Sequence, residues 1–363
     1  MRRPIAPGGV LVVKIGSSSL VEVAKGLNPA ALERVVEHVA RAFSSGYPTV
    51  LVTSGAVAAG LPALGLAGRP TDLAGLQVAA AVGQSRLMGM YAAQFAKRGL
   101  VIGQVLLTRG VLASRTPYLN ARTALSSMLE RRIVPVVNEN DTVGVEELRV
   151  GDNDRLAALV SHLVSADLLI LLTDTPGLYS EDPSSPDASL MREVSSGDWA
   201  LDSIAGLPGG RLGSGGVSSK VAAARMAAFS GIPTVVASSA EPRVVDRICR
   251  GEAIGTWVSP EARKLSARKL WIAFGQETGG RVTLDAGAVR AITRLKKSLL
   301  PVGVRETEGG FEAGEAVEVV DPEGRTIAKG IARISASECL SLQESAHPTT
   351  ELIHRDDLVI LRE

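Results

Sequence analysis

Apolar residues along this chain follow two alternating rhythms. Short runs rich in Val, Leu and Ile occur at 10–15, 49–53, 101–107, 133–137, 167–174, 233–237 and 256–258, each of a length for a buried strand. Between them apolar positions recur at helical spacing, as at Leu32, Val35, Val36, Val39 and Phe43 after the pair Asn28-Pro29. Asn at an N-cap with Pro at the first helical position starts a helix cleanly, because proline lacks only an N–H that would have no partner there. Further helices are expected after Ser54, through 83–97, and over 114–131, 156–164, 221–228 and 242–250. Strand–helix alternation of this kind predicts a largely parallel sheet covered on both faces, a three-layer α/β sandwich.

The rhythm changes near 259–270, where SPEARKLSARKL is polar and basic. Beyond it come short strands at 281–284, 316–320, 327–334 and 358–361, Gly-rich turns and one helix at 287–295, the pattern of a small β-rich domain. The expected division is an α/β domain at 1–258, a linker at 259–274 and a second domain at 275–363, and a length of 363 residues favours two domains. Charge in the second part is uneven: residues 263–297 hold nine Lys/Arg and two Asp/Glu, whereas residues 298–363 hold six and thirteen.

Whole-chain composition excludes several classes. Lys plus Arg 39 against Asp plus Glu 38 gives no global field for nucleic acid or acidic lipid. Aromatic content of 3% argues against a stacking platform for single strands. No apolar run approaches the roughly 20 residues of a membrane-spanning helix, and the start, MRRPIAPGGVLVVKIG, reads as a first strand and not as a signal peptide. Cys249 and Cys339 are too few and too far apart for a disulfide framework or a metal cluster, so a reducing cytoplasm is expected. Among the histidines, His38 and His162 fall in helices and His347 and His354 in the second domain. None forms a spaced metal pair or neighbours a nucleophile, and no metal ligands are assigned.

Polar interruptions of the apolar pattern carry the candidate chemistry. Lys14 breaks the first strand just before Gly16-Ser17-Ser18-Ser19, a loop of small residues whose N–H groups can approach a ligand. Ser54 leaves the second strand. Asn138-Glu139-Asn140-Asp141 ends the fourth in what reads as a turn, a hairpin follows, and Gly151-Asp152-Asn153-Asp154 reads as the cap of the next helix. Taken singly these clusters are ordinary turns and caps. Together they put carboxamides and carboxylates at the carboxyl ends of strands, where open α/β sheets bind ligands. Between Gly177 and Asp198 the chain reads as a polar surface excursion. Five glycines at 208–216 then precede an alanine-rich helix with Lys220 in its first turn. A cation is unfavourable at that dipole end unless an anion joins it, so the segment suggests a phosphate site, although it fails the GxxxxGK[ST] pattern. Two lysines, a glycine-rich loop and clustered carboxylates suit phosphoryl transfer from a nucleotide. A carboxylate acceptor, already ionised at neutral pH, would need positioning and cations in place of a general base.

The strings VVKIGSSSL, VTSGAVAAG, AAVGQSRLM, LLTRG, NAR, PVVNENDTV, VGDNDRLAALV, LLTDTPGLY and GSGGVSSK, in this order, closely resemble the glutamate 5-kinases of the amino-acid kinase fold. The C-terminal part, ending IHRDDLVIL, is similar to the PUA domain appended to many of them. The resemblance spans essentially the whole chain, and NENDTV with VGDND is its most specific part. It implies ATP-dependent phosphorylation of the γ-carboxylate of L-glutamate, the first step toward proline, with Mg²⁺, feedback inhibition by proline and a homo-oligomer. By position it implies that Lys14 and Lys220 stabilise the transferring phosphoryl group while Asp154 holds the lysines. Ser54, Asp141 and Asn153 would contact glutamate. Lys14, Thr173, Asp174, Ser214, Gly215, Gly216, Val217, Ser218, Ser219 and Lys220 would line the ATP site, with Asp152 in the neighbouring loop. Two rivals stand beside this reading: a kinase of the same fold for another amino acid or a nucleotide, and an RNA-binding protein acting through the second domain.

Overall fold

The computed structural model of the chain describes residues 2–22, 26–112, 115–143, 153–198, 201, 204, 216–262, 264–343 and 350–362. Contacts divide it into two compact units, Met1–Lys264 and Leu265–Glu363.

The first unit is built on a sheet of eight strands: β1 (Leu11–Ile15), β2 (Thr49–Val52), β3 (Val101–Leu107), β4 (Ile133–Glu139), β5 (Leu168–Thr173), β6 (Glu193–Ser195), β7 (Thr234–Ser238) and β8 (Thr256–Ser259). Their spatial order is β3-β4-β2-β1-β5-β7-β8-β6. Every neighbouring pair is parallel except β7 with β8. The strands from β3 through β7 in that order therefore point the same way, and their carboxyl ends line one edge of the sheet. The helices are α1 (Pro29–Ser44), α2 (Leu73–Ala96), α3 (Arg115–Glu130), α4 (Asp154–Leu163), α5 (Val217–Phe229) and α6 (Val244–Cys249), with shorter turns between. Asn28 caps α1, its side chain accepting from the Ala31 N–H at 3.0 Å. One core joins α1, α2 and α6 to alternate residues of β1, Leu11, Val13 and Ile15. Helices α3, α4 and α5 pack together on the other face, giving the three layers.

Several local expectations are corrected. Of Gly16-Ser17-Ser18-Ser19, read as a loop, the three serines belong to a one-turn helix, Ser17–Leu20. Asn138 and Glu139, read as turn residues, belong to β4, because pairing with β3 carries the strand to Glu139. The excursion after Gly177 returns as β6, which pairs with β8 and buries Val194. The hairpin after Asp141 falls in 144–152, outside the described residues.

The second unit carries a five-stranded sheet in the order β10-β9-β11-β12-β13, from β9 (Thr278–Leu284), β10 (Val304–Gly309), β11 (Ala316–Val320), β12 (Thr326–Ile331) and β13 (Leu358–Ile360). It has a core of its own around Val282, Leu284, Phe311, Val317 and Val319. Edge strand β10, sequence VRETEG, escapes the hydrophobic pattern because it is mostly solvent-exposed. The helix Ala336–Gln343 escapes it too, burying only Ala336 and Cys339. Of the stretch expected as a linker, 259–274, residues 267–274 are helical. Among the described residues no helix is long and apolar enough to cross a membrane.

Candidate active site

Strand alternation decides where Lys14 goes. Its neighbours Val13 and Ile15 face the α1 core, so Lys14 faces the layer that holds α4 and α5. There it is 2% exposed, and its Nζ pairs with Oδ1 of Asp154, the first residue of α4, which is fully buried. Lys220, one turn into α5, brings its Nζ within 3.2 Å of the other oxygen of Asp154, Oδ2. The Ser219 hydroxyl donates to that same oxygen at 3.0 Å. One carboxylate at a helix start, where negative charge is favourable, thus holds two ammonium groups from distant parts of the chain. The trio carries net positive charge in a low-dielectric place, a setting in which a further anion is attracted strongly.

Next to it, Gly216 caps α5 with extended backbone (φ −66°, ψ 179°) and without a side-chain hydrogen bond. The first N–H groups of α5 thus have no side-chain cap at the end nearest Lys220, as an anion site requires. Val217, Ser218 and Ser219 form the turn leading to Lys220. Thr173 ends β5, next to β1, and its hydroxyl donates to Asp174 at 2.9 Å. Ser214, Gly215 and Asp152 lie outside the described residues.

On the other side of β1, the ends of β2 and β4 frame a cavity of about 200 Å³. Ser54, Asp141 and Asn153 all line it. Ser54 Oγ is buried and has no hydrogen-bond partner, so it is ready for one from a ligand. Gly55, at φ 102°, makes the left-handed turn from β2 into the short helix Ala56–Gly60, a conformation that favours glycine. Asn153 corrects the cap expectation: it stands at the N-cap of α4 but makes no cap hydrogen bond. Its amide instead donates to the Thr53 carbonyl and, at 2.7 Å, to Asn138 Oδ1. Beneath the cavity the Tyr91 hydroxyl lies 2.8 Å from Thr53 Oγ1, and burial pushes the phenol far above its ordinary range, so it stays neutral.

Among the described site residues, Lys14, Asp154, Ser219 and Lys220 therefore form a cation cluster and Ser54, Asp141 and Asn153 line a polar cavity, the two joined through consecutive Asn153 and Asp154. Sequence reasoning missed Arg69 and gave no role to Glu139, both of which line the cavity. Glu139 lies inside the NENDTV string and could have been noticed there. Arg69 sits in a loop, GRPTD, with no periodic signal.

The sequence model of the amino acid kinase family matches residues 9–238, and that of the PUA domain matches residues 280–347. With its parallel sheet and strand-end site, the chain belongs to the amino acid kinase family. The glutamate 5-kinase of Pseudomonas fluorescens is 46% identical over 374 residues, covering 99% of this chain and 100% of that relative. The glutamate 5-kinase of Frankia casuarinae is 46% identical over 373 residues, covering 99% of each. That of Marinomonas sp. is 45% identical over 372 residues, covering 99% of this chain and 100% of the relative. Within the amino acid kinases, the chain is a member of the glutamate 5-kinases.

Proposed function

We propose that this chain transfers the γ-phosphoryl group of ATP to the side-chain carboxylate of L-glutamate, giving L-glutamyl 5-phosphate, the first step of proline biosynthesis. The observation that carries the reading is the convergence of Lys14 and Lys220 on buried Asp154 beside a polar cavity. The nucleophile is a carboxylate oxygen of the substrate. A new O–P bond forms as the bond between the γ-phosphorus and its bridging oxygen breaks, and ADP leaves. A carboxyl with a pKa of about 4.3 is already ionised at neutral pH, so the protein need not remove a proton. What it must supply is alignment of two anions and charge stabilisation as negative charge spreads over the phosphoryl oxygens.

In this reading Lys14 and Lys220 neutralise the transferring group, and Asp154 holds both ammonium groups in register. Asp141 and Asn153 take the ammonium of glutamate and Ser54 one of its carboxylates, while Thr173, Asp174 and residues 214–220 take ATP. The side-chain-free cap of α5 fits a nucleotide phosphate. Mg²⁺ would arrive on the nucleotide, since magnesium keeps several waters and is commonly held through substrate phosphates. Proline carries the same ammonium and α-carboxylate as glutamate and would compete for the same cavity. Exposed Val101 and Leu106 on edge strand β3 suit a homo-oligomer, and free, buried Cys249 and Cys339 suit a reducing cytoplasm.

Full-length similarity to glutamate 5-kinases favours this reading over a kinase for another amino acid or a nucleotide, and over an RNA-binding role. The test is ATP turnover with a substrate panel. Turnover with L-glutamate, and none with aspartate, N-acetylglutamate or UMP, is the expected result. Activity only with one of the others would replace it.

A further inference from the structure

Gln84, in the string AAVGQSRLM, lies on α2 and is not among the cavity-lining residues, yet it ends a chain of amide hydrogen bonds that reaches the cavity. The polarity of that chain can be followed from a group with no choice. The backbone N–H of Glu139 can only donate, and it donates to Asn138 Oδ1 at 2.9 Å. Asn138 Oδ1 also accepts from Asn153 Nδ2 at 2.7 Å, so Asn138 Nδ2 must find its acceptor elsewhere. Gln84 Oε1 is that acceptor, at 2.7 Å. Asn153 Nδ2 donates its second hydrogen to the Thr53 carbonyl. Both amide hydrogens of Asn153 are thereby engaged, and its Oδ1 is the atom left to offer to the cavity that Asn153 lines. An oxygen acceptor there suits an ammonium group and repels a carboxylate.

We propose that Gln84 is a positioning residue for substrate recognition: it holds Asn138 so that Asn153 turns its oxygen toward the α-ammonium of glutamate. The inference rests on the proposed glutamate kinase activity. Asn138 is 2% exposed, and without Gln84 its buried Nδ2 has no acceptor. The side chain would then swing toward water in the cavity and take its own acceptor away from Asn153. Backbone packing makes the placement of Gln84 stiff. A Cβ on neighbouring Gly83 would lie 1.8 Å from the Ala56 carbonyl oxygen, so α2 is seated directly against the segment that carries Ser54.

The test is steady-state kinetics of full-length Gln84→Met, which keeps the stem and removes the acceptor, with Gln84→Ala read the same way should the first variant lose solubility. Loss of a hydrogen bond to a charged group predicts a rise in the KM for glutamate of roughly 10- to 100-fold, with the KM for ATP and the Tm unchanged. Gln84→Glu, which keeps an acceptor, restores most of the affinity. Added to Asn153→Ala, the Gln84→Met change contributes nothing further, because the two act through one contact. An unchanged KM for glutamate, a joint rise in both KM values with a lower Tm, or additive losses in the double variant would overturn the proposal. A wild-type chain inactive toward glutamate would overturn the assigned substrate instead.

Discussion

A fully buried carboxylate between two lysines is stable only while all three charges stay together. Replacing Asp154 by Asn leaves two ammonium groups, one of them almost wholly buried, without their shared counter-charge. Removing one member of such a set costs about 3–5 kcal/mol. Chemical denaturation should show Asp154→Asn losing stability of that order, with part of the loss recovered when ATP supplies negative charge; a loss below about 1 kcal/mol would mean the lysines find other partners. The lysines themselves should show up in rate. Lys220→Ala and Lys14→Ala each remove a charge-stabilising donor and are expected to lower kcat on the order of 10²–10³-fold, with a much smaller change in the KM for glutamate. A near-normal kcat in either would take that lysine out of the transfer step. At this scale the sequence was informative where a residue broke its surroundings. Lys14 stood out as a cation inside an apolar strand and Lys220 as a cation at the wrong end of a helix dipole. Asn153 did not stand out, because an Asn before a helix reads as a cap, and only the tertiary partners Thr53 and Asn138 reveal where its amide goes.

At the scale of elements, α2 backs the short helix Ala56–Gly60, whose first residues line the cavity. Gly60 and Gly83 allow backbone-to-backbone contact between the short helix Ala56–Gly60 and α2, and a Cβ on Gly83 would also meet the Gly60 nitrogen at 2.5 Å. Gly83→Ala must push the two apart, and overpacking of this kind costs typically about 1–3 kcal/mol. The expected outcome is a lower Tm together with a higher KM for glutamate, since Ser54 moves with the short helix; a Tm equal to wild type would show that the contact yields easily. Two helix histidines, His38 buried and His162 half-buried, give the fold an acid limit. Desolvation holds His38 on α1 and His162 on α4 below the ordinary histidine range, whereas in the unfolded chain both titrate near 6.5. Below that pH the unfolded chain binds the additional protons, so stability is complete above about pH 6.5 and falls as the pH drops beneath it. Thermal melts at pH 7.5 and 5.5 should show the fall, and the double variant His38→Gln, His162→Gln should flatten it. An equal slope in that variant would assign the pH dependence to other groups.

At the scale of the whole molecule, two separate cores imply two separable folding units. A chain ending at Lys264 retains every strand of the eight-stranded sheet and every described residue of the candidate site. It is expected to fold and to keep catalysis; an insoluble or molten product would show that the first unit depends on the second. The same truncation locates inhibition by proline. If proline occupies the glutamate cavity, it should compete with glutamate equally in the full chain and in the truncated one. Inhibition that excess glutamate cannot relieve, or that disappears without residues 265–363, would place the proline site elsewhere.

By itself the sequence determined the alternation of strands and helices, the change to a β-rich second part and, through short polar strings at strand ends, most of the candidate site. These are local properties: burial makes strands apolar, helices periodic and strand ends polar wherever a ligand is met. Tertiary structure decided what depends on neighbours distant in sequence. Edge strand β10 is polar because solvent covers it, and β6 is a strand because β8 offers it a free edge. Parallel pairing of β4, β2, β1 and β5 gathered residues as far apart as Lys14, Ser54, Asp141 and Thr173 on one edge of the sheet. A single strand does not encode its neighbours, and for that reason Arg69 and Gln84 came to light only when the elements were packed.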